Sequence, residues 1–247
     1  MKLSLPVPVA SLIGLLMLSC GSDTDSDSLP RTAADIVGSV NLYDEGTNAL
    51  DNSGMQVRVE GSSPLIAATT DANGRFVLSD VPFGTYTLVY EKEGFGTYKK
   101  HEVLHENTGT TTPITETPSL GQRSTTEITD LGVERLAGEL ILRITTEPAG
   151  NSANRRYVRY LLGTESSLDL ENYRAFSPVF VAQINPFELT LSQTDLQDAG
   201  FTSGQTVFVR AYGDSFWSNA YLDPELGYTV FPNVHPNAAE PVSFVMP

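Results

Sequence analysis

The chain has 247 residues, with 15 Lys and Arg against 30 Asp and Glu, a formal net charge of −15 and a single cysteine. That excess of negative charge excludes nucleic acid and anionic lipid as electrostatic partners. One cysteine excludes an intramolecular disulfide and a Cys-rich metal site, and 20 Gly with 15 Pro at 18% charged residues favour small β-domains, two of them at this length, over a long helical body.

At the amino terminus Lys2 precedes an apolar run from Val7 to Leu18, which meets Ser19-Cys20-Gly21. Interrupted by Pro8 and Ser11, the run is too short to cross the hydrocarbon core as a helix and reads as a signal peptide over residues 1–19. Leu16 to Cys20 resembles the lipobox of bacterial lipoproteins, with Met17 where Leu is commonest. The resemblance implies cleavage before Cys20 and lipidation of its thiol, so that acyl chains hold the protein to the membrane. The other reading is a secreted protein with a free Cys. Asp23, Asp25 and Asp27 then form an acidic Ser/Asp run that resembles the signal sending Bacteroidetes lipoproteins to the outer face of the outer membrane. Under either reading residues 20–34 are a flexible, polar tether.

From Asp35 the pattern turns to strands. Ile36, Gly38, Val40 and Leu42 alternate with Val37, Ser39 and Asn41, and a turn-rich loop runs from Asp44 to Gly54. Val57 and Val59 face inward, Gly61 to Pro64 break the strand, and Ile66 to Thr70 form another. Asp71-Ala-Asn-Gly74 is a tight turn, because Asn and Gly tolerate positive φ and an Asp carboxylate bonds backbone two residues on. Phe76 and Leu78 then share one face, Pro82 and Gly84 reverse the chain, and Tyr86, Leu88 and Tyr90 alternate with Thr87, Val89 and Glu91.

Gly38-x-Val40, Gly54-Met-Gln-Val57-Arg-Val59, Thr70-Asp-Ala-Asn-Gly74-Arg-Phe76, Val81-Pro-Phe-Gly84-Thr-Tyr86 and Gly94-Phe95 occur in the order of a known family. Over about Ile36 to Thr117 the chain resembles the carboxypeptidase-like regulatory domain. The resemblance implies a transthyretin-like β-sandwich that is itself non-catalytic. It also sets a contrast with collagen-adhesin B-type relatives, which cross-link a first-strand Lys to Asn: Ile36 to Tyr43 has no Lys, so no such isopeptide is expected.

His101-Glu102-Val103-Leu104-His105 matches the zinc-protease signature His-Glu-x-x-His. On a helix the two histidines rise about 6 Å on one face; in a strand they stand about 13 Å apart, too far for one metal. Gly94 and Gly96 before the motif, and Asn107 to Pro113 after it, favour a strand with coincidental histidines over a metalloprotease site. His235 is the conceivable distant third ligand. Pro113 and Pro118 leave room for a poor edge strand at best, with Ile114 and Glu116 alternating against Thr115 and Thr117, and Gly121-Gln-Arg123 marks a boundary between domains at 35–122 and 123–247.

The β pattern restarts after Ser124. Leu140, Leu142 and Ile144 alternate with Ile141 and Arg143; Val158, Tyr160 and Leu162 alternate with Tyr157, Arg159 and Leu161. Short strands follow at Val179–Ala182 and Phe187–Leu191, then a Ser192-capped helix ending at Gly200, a strand through Val207, Val209 and Ala211, and a last one at Val242–Val245. Roughly seven strands imply a second sandwich, and the order resembles a fibronectin type III or related immunoglobulin-like domain. The fold class is therefore all-β, two tandem sandwiches behind a signal peptide and tether.

The densest surface chemistry lies late, in Phe216, Trp217, Tyr221 and Tyr228 beside Asp214, Asp223 and Glu225. The rings either stack on a sugar or peptide or cover the end of the sandwich, the commoner fate of such side chains. The three carboxylates are a candidate calcium set. No Ser/His/Asp constellation or free Cys nucleophile appears in a recognisable context, and no cofactor is implied. The sequence reads as a non-catalytic surface lipoprotein binding a glycan, peptide or protein partner, with a structural spacer in an envelope complex as the alternative.

Overall fold

A computed structural model describes residues 31–137 and 139–247. The signal peptide, Cys20 and the acidic run lie outside the described residues. Thr32–Pro247 form one compact unit containing two separate hydrophobic cores.

The first core is built by β1 (Ala33–Ser39), β2 (Asn41–Tyr43), β3 (Gln56–Val59), β4 (Ala67–Thr69), β5 (Arg75–Pro82), β6 (Gly84–Glu91), β7 (Tyr98–His105), β8 (Thr112–Pro113) and β9 (Ser119–Gly121). One sheet is β4-β3-β6-β7 and the other β5-β1-β8, with β2 and β9 as a parallel pair beside them. The period-2 alternation places Ile36, Val57, Phe76, Leu78, Leu88 and Tyr90 between the sheets, while Val77 is half exposed on the outer face. The Asp71 turn has the chemistry its sequence implies: its Oδ1 accepts from the backbone of Asn73 at 2.8 Å and of Arg75 at 2.9 Å. Gly74 sits at φ +76°, where a Cβ would stand 2.1 Å from the carbonyl oxygen of Val40. The segment after Pro113 differs from its alternating pattern. The strand is Thr112–Pro113, parallel to β1, and Ile114 leaves it to donate its backbone N–H to Val37 at 2.7 Å and to pack against the core.

The second core is built by β10 (Glu127–Leu136), β11 (Glu139–Glu147), β12 (Arg156–Gly163), β13 (Ala175–Phe176), β14 (Phe180–Ala182), β15 (Phe187–Leu191), α1 (Gln193–Asp198), β16 (Thr206–Asp214), β17 (Tyr221–Asp223), β18 (Tyr228–Val230) and β19 (Val242–Val245). The sheets are β10-β11-β15 and β12-β16-β19, with β13 and β14 on the free edge of β12. With β13 and β14 counted as one interrupted edge strand and the β17-β18 hairpin set aside, first, second and fifth strands face third, sixth and seventh, the arrangement of an immunoglobulin-like sandwich. Ser192 caps α1 through its Oγ, which accepts from the Asp195 backbone at 3.0 Å, and Gly200 ends it at φ +84°. Along β12 the alternation is masked, because both faces are buried: Val158 and Leu162 enter the core, while Leu161 and Arg159 lie against residues of the long excursion between β16 and β19.

Gly74→Ala is expected to lower stability by more than about 1 kcal/mol, because both the positive φ and the Val40 carbonyl oppose a side chain there. The shift of the urea midpoint with unchanged slope checks it.

Candidate functional site

The late loops that concentrate aromatic and acidic residues are used chiefly where the two sandwiches meet. Trp217 lays its ring 5.0 Å from that of Tyr43 and 5.2 Å from Phe216, which meets Tyr157 edge-on at 5.8 Å. Tyr221 stands edge-on to Tyr98 at 6.0 Å and tilted over His101 at 5.7 Å. Tyr228, like Phe216, has its ring partners within the second sandwich, edge-on to Tyr173 at 6.2 Å.

Between these rings lies a buried amide network. Asn233, with no exposure, accepts from the backbone N–H of Gly96 at 2.9 Å and donates to the carbonyls of Gly121 and Trp217 at 2.9 and 2.8 Å. Asn219 accepts from Gly121 N–H at 2.8 Å and donates to the carbonyls of Gly121 and Gly96 at 3.0 and 3.2 Å. The two amides also meet, Asn219 Nδ2 to Asn233 Oδ1 at 3.1 Å. Both glycines are required by contact rather than by φ: a Cβ on Gly96 would stand 2.3 Å from the Pro232 carbonyl oxygen, and on Gly121 2.5 Å from that of Trp217. Outside the amides Glu45 reaches across, accepting from Thr125 N–H at 2.6 Å and from Arg156 Nη1 at 2.8 Å.

The candidate calcium ligands are not brought together. Asp214 is fully buried and bonded to the guanidinium of Arg159, which lies 4.2 Å from the Phe231 ring centroid. Burial pushes the Asp214 carboxyl up and the Arg159 charge pulls it back. Asp223 instead closes its own turn, accepting from Glu225 and Leu226 N–H at 3.0 and 3.2 Å, while Glu225 is exposed. Among the described residues no group of three His, Cys, Asp or Glu side chains can hold a metal ion.

The zinc-protease signature lies on β7. A bulge, marked by Glu102 at φ +56° and by a register shift opposite Tyr86 and Leu88, reverses the side-chain phase inside the motif. His105 therefore joins the core side, its ring bonded to Thr112 Oγ1 at 2.6 Å and the Val81 carbonyl at 3.0 Å. His101 faces the second sandwich, with Nδ1 3.2 Å from Thr87 Oγ1 and Nε2, buried and without a hydrogen bond, 4.0 Å from Asp223. The two rings have no common metal position.

A separate concavity of about 320 Å³ opens on the second sandwich between α1 and the edge of β12. Sequence reasoning missed it, although its lining was in view as alternating core residues. The edge strand breaks there, between β13 and β14. Ser177 fixes the break: its N–H donates to the Tyr160 carbonyl at 2.9 Å, and its Oγ accepts from Tyr160 N–H at 2.9 Å and donates to the Pro178 carbonyl at 2.8 Å. Tyr160 and Phe180 stack at 8° with centroids 6.0 Å apart and together line one side. Phe176, 46% exposed, pairs with Leu161 and turns its ring to the other face of the sheet, edge-on to Tyr173 and Phe231 at 5.8 and 5.0 Å. Across from Tyr160 and Phe180, α1 places Asp195. Burial, then the charge of Asp195, holds the Tyr160 phenol above its ordinary value, so it stays a donor at neutral pH.

Residues 42–116 match the carboxypeptidase regulatory-like domain, within the first sandwich. No curated protein matches the chain. Among solved structures, a type II cohesin-X-dockerin complex from Acetivibrio cellulolyticus is 18% identical over 42% of this chain, which spans 62% of that chain, at a TM-score of 0.31. A candidate carbohydrate binding protein from Bacteroides uniformis is 14% identical over 87% of this chain and 99% of that one, at 0.27. A DUF3823 family protein from Bacteroides ovatus is 12% identical over 87% and 100%, at 0.28.

Asp223 yields the pH test of the seam. Burial raises its carboxyl, but the backbone N–H groups of Leu226 and Glu225 and then the charges of His101 and Lys99 outweigh burial and leave it below the ordinary Asp value. A carboxyl depressed in the folded state stabilises fully above its unfolded pKa of about 3.9 and loses that contribution as pH falls through the lower folded value. Asp223→Asn is expected to flatten the acid limb of the thermal midpoint against pH and to leave the midpoint at pH 8 lower than wild type.

Proposed function

We propose that the protein is a non-catalytic lipoprotein, anchored through Cys20 at the outer face of the outer membrane, that binds a glycan, peptide or protein partner. One observation carries the binding reading. Trp217 and Tyr221 are packed into the seam, whereas the groove between α1 and β12 sets two held rings, Tyr160 and Phe180, beside polar groups without a hydrogen-bond partner among the described residues. Small-ligand sites have this composition, a mostly apolar concavity with a few placed polar atoms. The non-catalytic reading is supported by the parting of the two signature histidines and of the three late carboxylates, which leaves no acid, base or nucleophile assembled around a common point. The seam itself favours the second reading, a rigid spacer in an envelope complex, because a continuous body of two sandwiches transmits position without a ligand. The lipobox and the acidic run after it support the address.

Cys20→Ala is expected to move the protein from the membrane fraction to the soluble periplasmic or secreted fraction and to abolish incorporation of a labelled fatty acid. In wild-type cells added protease is expected to digest the protein without lysis; protection until lysis would contradict the surface address. Intact wild-type chain that binds no member of glycan and peptide arrays would favour the spacer.

A further inference from the structure

We infer that the groove between α1 and the broken edge of β12 is a saccharide subsite that takes a neutral pyranose ring. The inference rests on the binding reading above and narrows it to one ligand chemistry and one set of residues.

The wall comes first. Tyr160 and Phe180, on adjacent strands, are diagonal neighbours on one sheet face, since Phe180 pairs with Val158 in register and Tyr160 lies two residues further along. Their rings are near-parallel and stacked on one another, and Phe187 supports Phe180 at 6.2 Å, so the pair is a held aromatic surface. A pyranose presents a face of C–H bonds that packs on an aromatic ring. Because the rings already hold one another, little side-chain freedom is lost on binding.

The polar side follows. Asp195 offers its carboxylate from the first turn of α1; its backbone N–H is satisfied by Ser192 Oγ, and the carboxylate makes no hydrogen bond or ion pair among the described residues. The Tyr160 hydroxyl likewise has no hydrogen-bond partner among the described residues and feels the Asp195 charge. One phenolic donor and one two-oxygen acceptor beside an aromatic wall match the alternating donors and acceptors of ring hydroxyls.

The same groove disfavours the alternatives. An extended peptide adding to the edge needs a run of free backbone N–H and C=O groups. Here Pro178 has no N–H, and Ser177 N–H and C=O are committed to the Tyr160 carbonyl and Arg159 Nη1 at 2.9 and 3.2 Å. An acidic sugar meets Asp195 on a chain of net charge −15.

The test is calorimetric titration of the full chain in detergent with neutral hexasaccharides of glucose, xylose, mannose and galactose, with a uronic-acid oligomer, and with a peptide array beside them. At least one neutral oligosaccharide is expected to bind. Tyr160→Phe and Asp195→Asn are each expected to weaken it by about fivefold, the scale of one hydrogen bond, and Phe180→Ala by about tenfold, the scale of a stacked ring. Leu222→Ala, at an exposed position on β17, is expected to bind as wild type, and Tyr160→Phe and Asp195→Asn are expected to melt as wild type. Neutral-sugar binding that all three groove variants leave unchanged would overturn the site while keeping the binding reading. Binding of the uronic-acid oligomer or of peptides alone would overturn the sugar class, again keeping that reading. A wild-type chain that binds nothing in either panel would sink both.

Discussion

The architecture turns on two buried asparagines that satisfy the backbone of two glycines. Gly96, just before β7, and Gly121, at the end of β9, lie so close to the second sandwich that no Cβ fits, and their N–H and C=O groups are shut off from water. A buried peptide group left unpaired costs about 1–3 kcal/mol. Four such groups without partners would drive the modules apart. Asn219 and Asn233 supply donors and acceptors for all four, and Asn219 adopts φ +54° to do so, a conformation that Asn tolerates better than most residues. The carrier of both amides is the excursion between β16 and β19, which reads as a loop in sequence and serves as the joint in space.

That excursion also explains why the second sandwich has a double-sided central strand. Its segment at Phe231 seals the outer face of β12, so Arg159 is buried on a face where an exposed residue is expected, and Asp214 is buried with it as counter-charge. A paired buried carboxylate and guanidinium are a structural solution to covering a sheet with a loop that must turn sharply at Ser215. Phe216, Trp217 and Tyr221 are placed by the same loop, and the seam claims them. The groove beside α1 remains as a concavity because its edge strand is interrupted at Ser177 and Pro178, and the short helix cannot close the gap.

Local features were legible in the sequence; long-range ones were not. The turn at Asp71 to Gly74, the alternation of Phe76, Leu78, Leu88 and Tyr90, and the Ser192-capped helix each depend on contacts within a few residues and stand as read. The bond from Asn233 to Gly96 spans 137 positions, and nothing in either residue announces the other. The late aromatics were visible as a group by composition, but their separation into two seam clusters and one internal pair is a product of which loop meets which sandwich. Tyr160 was read as one member of an inward-facing series, correctly for its side of the sheet. Its proximity to Asp195 follows from the broken edge and the position of α1, which periodicity does not encode.

The chemistry of the seam sets how it responds to its surroundings. An interface outside the cell meets changing salt and pH, and exposed ion pairs weaken as ions screen them. Here the ionic contribution across the seam is small: Glu45 with Arg156, and His101 facing Asp223 at 4.0 Å without a hydrogen bond. The ion pairs Lys99 with Glu60 and Arg58 with Glu91 are internal to the first sandwich. What joins the modules is neutral, amide to backbone and ring edge to ring face, and buried neutral bonds are insensitive to ionic strength. A body joined this way keeps its geometry across salt conditions and yields mainly to acid, through Asp223, whose carboxyl the backbone N–H groups of its own turn, and then the charges of His101 and Lys99 across the seam, hold below its ordinary range.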